Sequence, residues 1–103
     1  AVDEATKHAI EVPFRVMEVS CQSMEVIQSM VDHGNPNSIS DAGVGALAAR
    51  AAVQGAFLNV KINIKNFPDR AYAEMILKRA DSIFQETIVL EKRILEIVES
   101  KLL

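Results

Sequence analysis

The sequence lacks the residues that mark several classes of protein. Its 103 residues include one cysteine, no tryptophan, three prolines and four glycines. Cys21 has no partner for an internal disulfide and cannot complete a cysteine metal site, which excludes a disulfide-rich secreted domain and is typical of a reducing cytoplasm. His8 and His33 lie 25 positions apart and offer no metal-ligand spacing, so no metal is expected. The sequence also has no glycine-rich phosphate loop and no nucleophile elbow.

Two further shortages concern basic charge and long apolar runs. Lysine and arginine number 11 against 14 aspartates and glutamates, and the two signs are interleaved, so no basic patch invites a nucleic acid. Half of the residues are apolar, yet no apolar run approaches the roughly 20 residues that a membrane span requires. Because so short a chain buries its surface inefficiently, the excess apolar surface is expected to contact other proteins.

What the sequence does have is helical periodicity. From Asp3 to about Asp32, apolar residues recur at helical spacing with polar residues between them, which predicts an amphipathic helix. Pro13 falls inside this segment, and because proline lacks an amide donor we expect a kink or, preferably, a second helix start there. The predicted fold class is all-α, a bundle of long antiparallel helices that another chain is expected to complete.

A polar corner follows the first helix. Gly34 suits a left-handed helix end and Pro36 resists helix, so the chain is expected to turn there. Ser38 or Ser40 is expected to cap a helix whose first turn contains Asp41. The two asparagines, two serines and one aspartate of the corner exceed what capping requires, so it is also a candidate site for a polar ligand.

The central helix, from Asp41 to about Ile64, is rich in glycine and alanine and contains no proline. Neighbouring helices can approach such a helix closely. A second break follows, where Asn66 or Pro68 is expected to start the last helix. That helix carries an apolar stripe to the C-terminus and should reach about 50 Å, so it must pack along neighbours.

One face of the central helix combines polar and small side chains. Asp41, Asn59 and Asn63 share this face with Ala52. Polar groups in such a stripe need partners, because burying them unpaired is unfavourable. Two interpretations stay open: interhelical hydrogen bonds, or a ligand groove whose floor is lowered by small residues.

Three segments together resemble the cyclodeaminase/cyclohydrolase family of folate enzymes, which includes the cyclodeaminase domain of formiminotransferase-cyclodeaminase. They are residues 34–47 (GNPNSISDAGVGAL), 48–52 (AARAA) and 55–63 (GAFLNVKIN). Shorter similarities near Lys7, Pro13 and Arg15 extend the resemblance over nearly the whole chain. Members of this family are all-helical, dimeric and about twice as long, so residues 1–103 are expected to form one helical domain equivalent to a C-terminal half.

The resemblance implies a tetrahydrofolate derivative as substrate, no metal, and a homo-oligomer. The implied reaction closes 5-formimino-tetrahydrofolate to 5,10-methenyl-tetrahydrofolate with loss of ammonia, as in histidine catabolism. Since the species on this path are cationic, a carboxylate in a poorly solvated groove would stabilise them, and Asp41 is the expected catalytic residue. The residues expected to bind the substrate are Asn35, Asn37, Ser38, Ser40, Asn59 and Asn63.

Two alternatives to a cyclodeaminase stay open. One is a methenyl-tetrahydrofolate cyclohydrolase, which interconverts the methenyl and 10-formyl forms. The other is a helical dimerisation fragment without catalytic activity. The polar corner favours an enzyme, whereas the missing half favours the fragment.

Overall fold

The computed structural model describes residues 2–102, which form three long helices. Helix α1 spans Val2–His33, α2 spans Ile39–Ile64 and α3 spans Arg70–Leu102, and a single 3₁₀ turn, Pro36–Ser38, precedes α2. No strand occurs in these residues, so the all-α prediction is confirmed. The bundle is slender, measuring 53 × 19 × 16 Å.

Helix α2 runs antiparallel to both of its neighbours, so that α1 and α3 are parallel. Ile27 of α1 lies beside Gly45 of α2, whereas Ala9 of α1 receives a hydrogen bond from Asn63 of α2. The α1–α2 turn therefore lies at one end of the bundle, the corner end. The α2–α3 turn lies at the opposite end, the α2–α3 end.

The core is a continuous apolar seam with two sections that Leu90 joins. The section towards the α2–α3 end contains three buried phenylalanines, and the partly buried Phe84 packs against it with its ring 5.6 Å from that of Phe57. The section towards the corner end is built around small residues of α2, and a Cβ at Gly43 would lie 3.2 Å from Val98. Small residues thus allow α2 and α3 to approach closely at the corner end, as predicted for a helix rich in glycine and alanine.

Pro13 does not start a second helix, and that prediction is wrong. Helix α1 continues through it. Proline leaves the carbonyl of Ala9 without its usual amide donor four residues later. The side-chain amide of Asn63 donates to this carbonyl at 3.1 Å. A side chain from another helix therefore supplies the missing bond, which sequence periodicity within α1 cannot reveal.

The corner differs from its predicted capping in two respects. Gly34 is not left-handed, since no glycine among residues 2–102 has a positive φ; its amide donates to Met30 O at 2.7 Å, and a Cβ there would collide with that oxygen. Ser38 occupies the N-cap position of α2, but its hydroxyl donates to Asn35 O at 3.0 Å rather than accepting from a helix amide. The Asn35 side chain accepts from the Asn37 amide at 2.9 Å, so it caps the 3₁₀ turn.

The start of α3 is set by Asp69, and not by Asn66 or Pro68 as predicted. The helix begins at Arg70, and the Asp69 carboxylate accepts from the amide of Tyr72 at 3.0 Å. This is the geometry of an aspartate N-cap, which satisfies one of the free amides of the first turn. Asp69 was overlooked because a proline and an asparagine precede it, and both are common at helix starts.

The outward side of α2 is apolar as well as the side that faces the core. Its exposed large residues are Val44, Leu47, Leu58 and Ile62, and each is about half or more exposed. None of the helices in the described part of the chain is long and apolar enough to cross a membrane. The outward side of α2 is therefore an apolar surface that this chain does not cover.

Candidate functional site

Three polar side chains of the corner are exposed and lack a side-chain partner among residues 2–102. Asn37, Ser40 and Asp41 make no side-chain hydrogen bond or ion pair within the described part of the chain. Asp41 lies in the first turn of α2, where the positive end of the helix dipole favours its negative charge. These three groups are therefore free to bind a ligand at the corner end.

The other two predicted corner residues are partly committed to the turn. The Asn35 carbonyl groups, of side chain and backbone, hold the 3₁₀ turn, and the Ser38 hydroxyl donates within it. Next to the corner, a shallow depression of 520 Å³ is lined in part by Met30 and His33 of α1. His33 Nδ1 lies 3.3 Å from Ser29 O, so the ring complements the C-terminal end of α1.

The predicted residues Asn59 and Asn63 line a second feature, a groove of 460 Å³ between α1 and α2. Its walls are otherwise mainly apolar, with Val12 and Val16 on α1 and Ala52 on α2. The amide of Asn63 is engaged by the Ala9 carbonyl, so the interhelical hydrogen-bond interpretation is confirmed for this residue. Asn59 is exposed and has no hydrogen-bond partner among the described residues.

The structure does not bring the two sets of predicted residues together. Asp41 and Asn59 are 18 positions apart on one straight helix, which places them roughly 27 Å apart along its axis. A single reacting carbon cannot contact both. The role of each predicted residue stays a prediction, but the corner and the groove must be considered as separate places.

A cluster of positive charge was missed in the sequence. Lys61, Lys65 and Arg70 line an open depression of 570 Å³ between α2 and α3, whose remaining lining includes Leu58 and Leu77. The sequence pattern did not predict a site at these three residues. The only signal is three cationic residues within ten positions. Because the Arg70 guanidinium already donates to backbone carbonyls of the α2–α3 turn, the two lysine ammonium groups are the cations that can meet a carboxylate of a ligand there.

Arg50, in contrast, is engaged within the chain. Its guanidinium donates to the Glu91 carboxylate of α3 at 3.0 Å, and this carboxylate is only 13% exposed. A second guanidinium nitrogen donates to the side-chain oxygen of Gln54 at 2.5 Å. Arg50 therefore ties α2 to α3 near the middle of the bundle and is not available to a ligand.

Cys21 is a buried group of the α1–α3 interface. Burial raises the pKa of the Cys21 thiol. A hydrogen bond with Thr87 offsets part of this effect and the carboxylates of Glu86 and Glu25 add to it, so the pKa is raised on balance and the reactive thiolate is disfavoured. A cavity of 170 Å³ lies beside it.

Burial likewise raises the pKa of Tyr72. No group of three or more histidine, cysteine, aspartate or glutamate side chains that could hold a metal ion occurs among the described residues.

Comparison with known proteins matches most of this chain. The sequence model of a family described as formiminotransferase-cyclodeaminase matches residues 1–82, which include the corner, α2 and the start of α3. Methenyltetrahydrofolate cyclohydrolase of Methylorubrum extorquens is 40% identical over 100 residues, which are 97% of this chain and 48% of that protein. The chain thus spans about half the length of this relative.

Two further relatives carry a different name. Formimidoyltransferase-cyclodeaminase of Dictyostelium discoideum is 31% identical over 98% of this chain and 19% of that protein. The protein of the same name from Rattus norvegicus is 34% identical over 84% of this chain and 16% of that protein. The chain therefore matches a small part of both relatives.

Proposed function

Because the chain belongs to the formiminotransferase-cyclodeaminase family, we propose that it forms part of an enzyme that acts on the one-carbon unit of tetrahydrofolate. The substrate is a folate with its one-carbon unit at the formimino, methenyl or formyl level. In the cyclodeaminase and the cyclohydrolase reaction alike, a tetrahedral carbon forms between two nitrogens of the folate. The work of the protein is to stabilise cationic species around this carbon and to move protons.

The observation that carries the proposal is the set of free polar side chains at the corner, which lies within the region that the family model matches. Asp41 presents a carboxylate that no group of the described chain neutralises, and Asn37 and Ser40 lie close to it in sequence with free side chains. A carboxylate in this position can stabilise a methenyl or amidinium cation and can accept or return a proton. The amide and the hydroxyl can orient the ring nitrogens of the pterin.

Asp41 is exposed in this chain, which bears on how the site becomes active. Water screens an exposed carboxylate and weakens its effect on a cation. We therefore propose that another polypeptide covers the corner when the substrate is bound, so that the isolated chain is less active than the assembled enzyme. Asn59 and Asn63 bind the part of the substrate that lies in the groove between α1 and α2, and they do not contact the reacting carbon.

The experiment that tests Asp41 is a substitution that keeps the shape of the side chain. Asp41→Asn is expected to lower turnover of methenyl-tetrahydrofolate at least about 100-fold, because a neutral amide neither stabilises the cation nor accepts its proton. Turnover is followed as loss of the absorbance of the methenyl chromophore. Asp81→Asn, at an exposed aspartate of α3, is the matched control and should leave turnover unchanged. Full activity of Asp41→Asn would remove Asp41 from the mechanism.

Two reactions remain candidates, and a specific observation favours each. The 40% identity to a protein named cyclohydrolase, across 97% of the chain, favours addition of water to the methenyl carbon. The family description and the relatives named cyclodeaminase favour loss of ammonia from the formimino form. Release of ammonia from 5-formimino-tetrahydrofolate, measured beside hydrolysis of the methenyl form, separates the two.

A binding measurement tests the proposal without requiring turnover. Calorimetric titration with folinic acid is expected to give saturable binding, and Asp41→Asn should weaken it. Absence of binding together with absence of both activities, when the chain is assembled with the polypeptide that covers its corner, would support the remaining alternative, a helical dimerisation fragment that has no catalytic role.

A further inference from the structure

The C-terminal end of α3 packs against both of the helices that the corner joins. Val98 is 4% exposed and belongs to the same buried cluster as Val31 of α1 and Ile39 of α2. Val98 and Lys101 both lie beyond residue 82, where the match to the family model ends. The region that identifies the family therefore ends before the part of α3 that reaches the corner.

Lys101 binds the C-terminal end of α1. Its ammonium donates to Val31 O at 2.5 Å, across the α1–α3 interface. The last carbonyls of a helix have no amide partner four residues later, and a lysine can satisfy one of them while its charge complements the negative end of the helix dipole. Among the described residues no amide of the corner donates to Val31 O, so Lys101 supplies the donor that this carbonyl lacks.

A second contact joins α3 to the start of α2. A Cβ at Gly43 would lie 3.2 Å from Cγ1 of Val98, so the absence of a side chain lets α2 pack directly on this valine. Gly43 follows Asp41 by two positions. Val98 and Lys101 are three positions apart and therefore lie on the same side of α3. One side of α3 thus contacts the end of α1 and the start of α2.

We propose that Lys101 is a positioning residue, which fixes the corner so that Asp41 meets the reacting carbon of the substrate. This role of Lys101 rests on the proposed function of Asp41. The two residues form no ion pair in the described chain, so the effect of Lys101 passes through the backbone between Val31 and Asp41. Catalysis is sensitive to such placement, because a displacement of about 1 Å can lower a rate about 100-fold.

The first test is a double-mutant cycle on turnover, with the chain assembled with the polypeptide that covers its corner. Lys101→Met keeps the apolar stem and removes the ammonium. It should lower kcat about tenfold for whichever of the two folate substrates is turned over, and change KM less than about twofold, because the displaced group acts on the reacting carbon. In an Asp41→Asn background the same substitution should change kcat less than about twofold, since the group that Lys101 positions is gone.

Single-turnover measurements at high enzyme concentration keep the slow Asp41→Asn background measurable. A merely structural lysine would lower turnover equally in both backgrounds. Equal losses in the two backgrounds, or no loss in either, would overturn the proposal and leave the role of Asp41 intact.

Two matched variants separate the hydrogen bond from a change of the surface. Lys101→Arg retains a donor and a positive charge, so it should keep kcat within about threefold of the parent. Lys92→Met, at an exposed lysine of α3 with no partner among the described residues, should leave kcat unchanged. Loss of turnover in Lys92→Met as large as that in Lys101→Met would contradict a specific role for Lys101.

The second test does not depend on catalysis. The Gly34 amide donates to Met30 O in the last turn of α1, and it should exchange its hydrogen about fivefold faster in Lys101→Met, because the end of α1 opens more readily. The amides of Phe67 and Ala73, which donate to backbone oxygens at the α2–α3 end, are references in the same molecule and should change less than about twofold. Hydrogen exchange of the chain, followed by NMR, measures these rates residue by residue.

An unchanged exchange rate at Gly34 would overturn the proposal. Faster exchange at Gly34 together with full turnover of Asp41→Asn would reject the proposed function, while showing that Lys101 does fix the corner. The two measurements therefore distinguish failure of the positioning role from failure of the catalytic role.

Discussion

The two ends of the bundle differ in how many of their polar side chains the chain itself engages. At the α2–α3 end, polar groups bind the backbone of the chain: the Arg70 guanidinium donates to Ile64 O at 2.8 Å and Phe67 O at 2.9 Å, and Asp69 caps α3. At the corner end, Asn35 and Ser38 bind within the turn and Lys101 donates to Val31 O, whereas the side chains of Asn37 and Asp41 have no partner in the described chain.

Polar side chains that bind the backbone stabilise the fold, whereas polar side chains without a partner can recognise a ligand. Helices leave unpaired carbonyls at their C-terminal ends, and a guanidinium that satisfies several of them fixes both the turn and the next helix. Free polar groups at the start of a helix stabilise little and are available to a ligand. Substitutions at the α2–α3 end should therefore affect folding, whereas substitutions of the corner residues without a partner, Asn37, Ser40 and Asp41, should affect function.

The largest effect is expected at the ring that fills the α2–α3 turn. Phe67 is 5% exposed and lies 5.4 Å from the Tyr72 ring. Phe67→Ala should lower the free energy of unfolding by about 3 kcal/mol, because it removes buried surface and leaves a cavity. Urea denaturation measures the change. Phe67→Leu, which retains most of the volume, should lose about 1 kcal/mol and keeps the test informative if the alanine variant fails to fold. A loss below about 0.5 kcal/mol for both would show that the ring does not support the turn.

The next effect concerns the guanidinium. Arg70→Met keeps an apolar stem and removes the hydrogen bonds to the end of α2, so it should lower the free energy of unfolding by about 1–2 kcal/mol. Arg93→Met is the matched control at an exposed arginine of α3 and should change stability by less than about 0.5 kcal/mol. Equal losses for the two arginines would contradict the comparison between the ends.

A smaller effect is expected where Asn63 supports α1. Asn63→Ala should lower the free energy of unfolding by about 1 kcal/mol, because the Ala9 carbonyl loses the donor that replaces the missing amide of Pro13. In a Pro13→Ala background the backbone amide at position 13 takes over that role, and the loss should fall below about 0.5 kcal/mol. A double-mutant cycle by urea denaturation measures this coupling. Additive losses would mean that the amide does not compensate for the proline.

The smallest effects on stability are expected at the corner. Asn37→Ala and Ser40→Ala should each change the free energy of unfolding by less than about 0.5 kcal/mol, since neither side chain has a partner in the described chain. Both should still weaken binding of folinic acid, as calorimetry would measure. A large loss of stability without loss of binding would reverse the roles assigned to the two ends.

Much of the fold was predictable because its breaks are local. Pro36 and Pro68 mark the two turns, and apolar periodicity gives the helices between them. The continuity of α1 was not predictable, because a side chain from α2 compensates for Pro13. The predictions of the helix caps were wrong for a similar reason. The side chains of Ser38 and Asp69 can both cap a helix, and the path of the backbone decides which of them accepts a hydrogen bond from a helix amide.

The candidate site was only partly accessible to sequence reasoning. Helical periodicity places Asp41 and Asn59 on one face of α2 and so suggested a single site. The two residues are nevertheless too far apart along the helix axis to contact the same reacting atom. The cationic depression depends on the α2–α3 turn, which brings Arg70 beside Lys61 and Lys65. No spacing rule predicts such a meeting of residues across a turn.

The hydrogen bond between Asn63 and the Ala9 carbonyl also has an evolutionary consequence. Positions 13 and 63 lie fifty residues apart, yet the residues at these two positions should covary among related sequences. Where position 13 is not proline, position 63 should vary freely. Where position 13 is proline, position 63 should keep a side chain that can donate a hydrogen bond. Among related sequences, therefore, the identity of one position should forecast the other, and a survey of natural variation can detect this linkage without any protein being purified.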